Sequence, residues 1–270
     1  LEMISTPTGD VGYLHFNSHI LPAEEDLYDA FTTLKSNGVT DLVLDLRYNG
    51  GGYLYIAAQV GYLIAGAAGD GEVFYQQVAN IKQASQSPFP FIDESTGFAD
   101  GFAAGFSLPT LSLSRVFILS TSGTCSASEA IINGLRGIDV EVILIGSTTC
   151  GKPYGFVPEH HCGTTYFSVQ FTGVNADDFG EYPDGFSPAN ETGALGVSLP
   201  GCWVDDDLSE LLGNENEAML AAALQYREDE TCPTPPSAKT QLKSGLQKSQ
   251  SGLEIKAPKP SGLNYAIGRN

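Results

Sequence analysis

The order strand, helix, strand, repeated along the chain with short connections, constrains this sequence more than any other feature. Such an order demands parallel pairing with right-handed crossovers, because a chain returning to the same sheet edge packs its helix back only in that hand. Val11–Ile20 alternates apolar residues and predicts a strand. Pro22 opens a helix in which Leu27, Ala30, Phe31 and Leu34 fall at i, i+3, i+4 and i+7, and Gly38 stops it. Leu42–Leu46 is a nearly continuous apolar run, the pattern of a strand covered on both faces. It leads into Arg47-Tyr48-Asn49-Gly50-Gly51-Gly52, and Ile56–Ile64 then has helical spacing. A strand at Val73–Ala79 precedes a Ser/Pro/Gly-rich loop over about residues 84–113.

The second half repeats the logic. Val116–Ser120 predicts a strand, Thr121–Cys125 a turn of small residues, Ser126–Arg136 a helix and Glu141–Ile145 the next strand. Tyr166–Phe171 predicts a further strand, and Glu217–Tyr226, rich in Ala, Leu and Met, a closing helix. Two regions are expected: one principal domain over residues 1–232 and a basic, low-complexity tail over 233–270 in which Ser-Gly-Leu recurs. The composition of that tail predicts a flexible segment, with binding back onto the body as the sharper alternative. Leu1-Glu2 is no natural start, so a longer precursor with targeting and upstream segments is expected.

The charge is unevenly divided. Residues 1–232 carry 7 Lys and Arg against 31 Asp and Glu, whereas residues 233–270 carry 6 against 1. An acidic body repels nucleic acid and anionic membrane surfaces, which excludes both as expected partners. No apolar run approaches the ~18 residues of a membrane span. The five cysteines (Cys125, Cys150, Cys162, Cys202, Cys232) lack C-x-x-C spacing, so neither a zinc nor a redox motif is expected. In an oxidising compartment four would pair. Spacing predicts Cys150 with Cys162 and Cys202 with Cys232, leaving Cys125 free.

Two residues carry the chemistry. Ser126 stands where a strand gives way to a helix, among the small residues Gly123, Thr124, Cys125, Ala127 and Ser128. Free N–H groups and the positive end of the helix macrodipole there favour an oxyanion. A plain N-cap serine is the alternative reading. Lys152 follows a second parallel strand, so it falls on the same sheet edge. It is the only charged residue between Ile143 and Val157. An ordinary lysine, with a pKa near ~10.4, is almost wholly protonated at neutral pH. Burial among uncharged neighbours lowers that value and creates a usable base. A surface lysine after a turn is the competing reading.

These residues lie in four stretches: Leu44-Asp45-Leu46-Arg47-Tyr48-Asn49-Gly50-Gly51-Gly52, Ser126-Ala127-Ser128-Glu129, Gly146-Ser147-Thr148-Thr149-Cys150-Gly151-Lys152, and Tyr182-Pro183-Asp184-Gly185-Phe186-Ser187-Pro188. In this order the chain resembles the C-terminal processing (tail-specific) serine peptidases over about residues 11–230. The resemblance implies an α/β, ClpP/crotonase-like core with parallel strands and packed helices, plus a β-rich segment. It implies Ser126 as nucleophile, Lys152 as base, and an oxyanion hole from the amides of Ala127 and Gly51. Glu129 and Thr149 would support the site. Polypeptide substrates, no cofactor, no metal and a periplasmic or otherwise extracytoplasmic setting follow from the same likeness.

The chain departs from the family pattern at several points. An acidic residue of some relatives has no clear counterpart near Arg136, Gly137 or Asp139, Cys125 and Cys150 flank the catalytic positions, and the upstream PDZ segment is absent. Three other readings compete. A tricorn-like Ser-His peptidase would need His15, His19, His160 or His161 beside Ser126, whereas exposed or packed histidines are expected. A non-catalytic binding module on the same fold would have no use for the Ser126–Lys152 pair. A crotonase-like enzyme acting on acyl thioesters would need a basic groove for coenzyme phosphates, and the sequence offers none.

Overall fold

The computed structural model describes residues 1–79, 86–157 and 159–234. The tail expected to begin at Pro233 therefore lies, beyond its first two residues, outside the described residues.

The chain opens with β1 (Glu2–Thr6), β2 (Gly9–His15), α1 (Ala23–Ser36), β3 (Asp41–Asp45) and α2 (Leu54–Ala65). It continues through β4 (Val73–Ala79), β5 (Phe89–Pro90), β6 (Arg115–Ser120), α3 (Ala127–Arg136) and β7 (Glu141–Gly146). The short strands β8 (Tyr154–Gly155), β9 (Glu159–His161), β10 (Thr164–Tyr166) and β11 (Phe171–Val174) follow. Last come β12 (Phe186–Pro188), β13 (Val197–Leu199), β14 (Gly201–Trp203) and α4 (Ala218–Asp229).

The main sheet runs β1-β2-β3-β6-β7-β14, parallel throughout except for the antiparallel edge pair β1–β2. This is the parallel core with intervening helices that the strand–helix alternation predicts. Alternate residues of each strand face opposite sides. Leu42, Leu44, Val116, Ile118, Val142 and Leu144 pack under α1, α2 and α3. Val43, Phe117, Leu119, Ile143 and Ile145 pack on the other side against Met219, Leu220, Ala222 and Ala223 of α4. Both faces are covered, which is why these strands read as continuous apolar runs. Each fully buried Leu or Ile contributes about 1.5–3 kcal/mol to that sandwich.

A second sheet of order β5-β4-β11-β8 stands beside the first and supplies the β-rich segment. Here the strand expected at Tyr166–Phe171 is replaced by β10 ending at Tyr166 and β11 starting at Phe171. Phe167 and Val169 between them are 55% and 64% exposed, so their alternation buries nothing and no ladder forms. The first strand also stops at His15, short of the expected Ile20.

The cysteine expectation is corrected in part. Cys202 pairs with Cys232, tying β14 to the end of α4. Cys150, however, pairs with Cys125 and not with Cys162, which is free and exposed. The reason is the β6–β7 register. Ser120 lies opposite Gly146, so the two turns that leave these strands run side by side and carry Cys125 and Cys150 to a Cα separation of 5.2 Å.

Candidate active site

Parallel strands send their carboxyl ends to one edge, where loops converge and ligands bind. Three loops meet there: residues 46–53 after β3, 121–126 after β6 and 147–153 after β7. Backbone and hydroxyl bonds lock them together. Cys125 N donates to Asn49 O (3.1 Å), Cys150 N to Thr124 O (3.0 Å), Ser128 Oγ to Asn49 O (2.9 Å) and Thr124 Oγ1 to Leu46 O (2.8 Å). Thr121 Oγ1 donates to Arg47 O as well.

Ser126 is the hinge between the β6 turn and α3. Its backbone sits at φ 59° and ψ −112°, a left-handed region that costs a non-glycine residue about 1–3 kcal/mol unless its surroundings fix it. A helix cap normally takes an extended backbone. Ser126 instead makes a sharp strand-to-helix bend at the end of the sheet. Gly51 makes room for it. A Cβ at Gly51 would come within 2.8 Å of Ser126 Cβ and Ala127 N, and its φ of 98° suits glycine alone.

Glu129 fastens the second loop to the first. Buried completely, its carboxylate accepts from Ser126 N (3.0 Å), Thr149 Oγ1 (2.6 Å), Gly151 N (2.8 Å) and Lys152 N (2.9 Å). Burial pushes its pKa up while these donors pull it down, and the upward push prevails. Thr149 Oγ1 accepts in turn from Phe186 N (2.9 Å), which brings the Tyr182–Pro188 stretch into the site. Cys125, Glu129 and Cys150 lie close enough together to offer three metal ligands. The two sulfurs are bonded to each other and the carboxylate already takes four donors, so this trio acts as a clamp.

Ser126, Ala127 and Lys152 line a single small cleft together with Gly52. Apolar and aromatic side chains, Leu54, Tyr75, Ala130, Phe171 and Tyr182, line it as well. Burial pushes the Tyr75 and Tyr182 hydroxyls up, so both stay neutral. Lys152 is half-buried, with Nζ 5.6 Å from the centroid of the Phe156 ring. Burial lowers its pKa below the ordinary lysine value, and the Glu129 charge opposes that shift without cancelling it.

The expected oxyanion donor Gly51 stands differently. Its N–H donates to Asn49 Oδ1 (3.0 Å), and the glycine that borders the cleft is Gly52. Asn49 Nδ2 is held by Phe16 O (2.9 Å), and Oδ1 also meets His19 Nδ1 at 3.0 Å. Since Oδ1 accepts, that network assigns the His19 proton to Nδ1. Sequence reasoning treated His19 as a packed or exposed histidine. It is fully buried behind the glycine loop, and its backbone pairs with Gly51 O and Tyr53 N. His160 and His161 are exposed, and none of the four histidines lines the cleft.

Burial pushes His19 down to about 4, against the opposing pull of its Asn49 and Gly51 bonds. In the unfolded chain it would titrate near ~6.5. Between those values the unfolded state holds more protons, so stability falls as pH falls. We expect a loss of roughly 3 kcal/mol between pH ~6.5 and ~4 from this group alone. Urea unfolding across that range checks it, and a His19→Gln variant with an equally steep acid limb would refute it.

Among solved structures, a Bacteroides fragilis NCTC 9343 protein assigned to the S41 proteases matches at 28% identity and a TM-score of 0.69. The match covers 85% of this chain and 57% of that one, so the chain spans little more than half the length of this relative. The photosystem II D1 C-terminal processing protease matches at 21% identity and a TM-score of 0.48, over 71% of this chain and 47% of its own. A lipoprotein from Streptococcus agalactiae follows at 14% identity and a TM-score of 0.46, over 66% and 60%. No curated protein matches the chain. Residues 10–158, more than half of the sequence, match Peptidase family S41, and the chain belongs to that family.

Proposed function

We propose that this chain is the catalytic core of a serine peptidase in which Ser126 attacks the peptide carbonyl and Lys152 takes its proton. The observation that carries this reading is the meeting of both side chains on one cleft, with the lysine pKa lowered by burial. Ser126 Oγ forms a bond to the carbonyl carbon, the hydroxyl proton passes to neutral Lys152 Nζ, and the carbonyl oxygen becomes an oxyanion. The Ala127 N–H, at the start of α3, is the first oxyanion donor in this reading. The second donor in this reading is Gly52, which borders the cleft, in place of Gly51, whose N–H is taken by Asn49. The lysinium then protonates the leaving amine, and water releases the acyl group by the reverse transfers. Glu129 and Thr149 position the lysine loop.

The apolar lining of the cleft fits an unfolded polypeptide presenting an apolar side chain. Substrates in this reading are polypeptides cut near their C-termini in an extracytoplasmic compartment, a setting supported by two disulfides. Among the described residues no helix is long and apolar enough to cross a membrane. A His-based triad loses support because His19 is committed to Asn49 and kept neutral behind the loop. Ser126→Ala is expected to abolish both cleavage of an unfolded protein and labelling by a fluorophosphonate. Undiminished cleavage by a folded Ser126→Ala variant would sink the reading.

A further inference from the structure

The Cys125–Cys150 bridge joins the residue directly before Ser126 to a residue two before Lys152. It is the one covalent link between the loops that carry the two groups. Ser126 is held in a strained backbone conformation that persists only where its surroundings over-determine it. On the other side, Lys152 is followed by the buried Pro153 and by β8, which pairs with β11, so the sheet fixes the lysine loop at its far end. The bridge is the anchor on its near side. It stands parallel to the Glu129 clamp, which spans the same gap by hydrogen bonds alone. Cys150 is exposed, so a reductant can reach it.

We infer that the Cys125–Cys150 disulfide is a positioning element of the Ser126–Lys152 centre, and that the peptidase turns over in its oxidised form and slows when this bond is opened. The inference rests on the proposed Ser-Lys reading. A dithiol such as dithiothreitol supplies two electrons and two protons. Cys125 and Cys150 become thiols while the dithiol closes to its own disulfide. With the bridge open, the lysine loop moves relative to the serine turn, and misplacement by about 1 Å costs on the order of 10²-fold in rate.

The test uses a Cys162→Ala background, so that exchange with that exposed thiol re-forms no bridge. Cleavage of an unfolded protein is followed during reduction, with thiol mapping by mass. The expected result is a fall in kcat of about 10–100-fold as Cys125–Cys150 opens. KM should stay within about threefold, and the midpoint of the rate–pH curve should move toward that of an ordinary lysine. Reoxidation should restore both. Cys202→Ala/Cys232→Ala should show the same fall, because its only remaining bridge is the one at issue. A Cys125→Ala/Cys150→Ala variant should start slow and lose nothing further.

If the reduced protein keeps its kcat and pH curve while mapping shows Cys125 and Cys150 as thiols, the inference fails. It fails equally if Cys202→Ala/Cys232→Ala is insensitive to reduction. The Cys162→Ala reduction series decides the matter even if the double alanine variant misfolds. Ser126→Ala in the same assay is silent if the underlying reading holds. Turnover there would overturn that reading, separately from the role of the bridge.

Discussion

Lys152→Ala and Lys152→Arg variants are expected to fold normally and to lose about 10²–10⁴-fold in turnover, the usual worth of a general base. The arginine variant is the sharper of the two. It keeps the charge and much of the bulk, but a guanidinium stays protonated and accepts nothing from a serine hydroxyl. In the wild type the rate should rise with pH as the ammonium loses its proton. Because burial lowers that pKa, the rise should be complete at lower pH than a free lysine would allow.

The linkage sign follows from the same shift. Below the folded pKa the fold carries a buried charge that the unfolded chain leaves in water. Between the folded and unfolded values the unfolded chain holds more protons, so stability rises with pH through that window. Lys152→Met should therefore flatten this alkaline rise while abolishing activity. His160→Ala and His161→Ala should retain most activity, since both residues are exposed. An active Lys152→Arg enzyme would end the assignment.

The largest loss of stability is expected at Arg47, which lies directly before the glycine loop. It is fully buried, with Nη2 2.7 Å from Asp45 Oδ2, Nη1 2.8 Å from Glu217 Oε1 and Nη1 3.2 Å from Asp206 Oδ1. Tyr13 OH adds a bond of 2.6 Å to Asp45, and Glu217 also caps α4 through Met219 N and Leu220 N. Arg47→Met would leave two carboxylates buried without a cation. Breaking a buried pair in this way costs about 3–5 kcal/mol. Converting Asp45 to Asn and Glu217 to Gln in the same protein removes the stranded charges and should restore part of the loss. Denaturant unfolding of the single and triple variants measures both, and a single variant within about 1 kcal/mol of wild type would refute the argument.

The parallel core was legible because its strands are buried on both faces and so read as unbroken apolar runs. That Ser126 and Lys152 reach one cleft was legible because each follows such a run on the same sheet edge. The cysteine pairing was misread because spacing along the chain was taken for spacing in the fold. The needed signal was present. Cys125 and Cys150 lie at nearly equal distances beyond two strands expected to pair in parallel, and a register argument would have placed them together. Gly51 and Gly52 could not be told apart from sequence, because the distinction rests on which N–H the Asn49 side chain takes. His19 gave no signal at all. Its burial depends on a bridge to Gly52, which no local pattern announces.

The reach of the Arg47 network has a consequence for the order in which a newly made chain matures. Its partners lie 170 residues apart, at Arg47 and Glu217, and Thr149 Oγ1 accepts from Phe186 N across a further 37 residues of chain. Contacts so distant along the chain close late, because loop entropy must be met before they form. During vectorial synthesis Arg47 therefore emerges long before Glu217, and its buried ion network closes only once the last helix has been made.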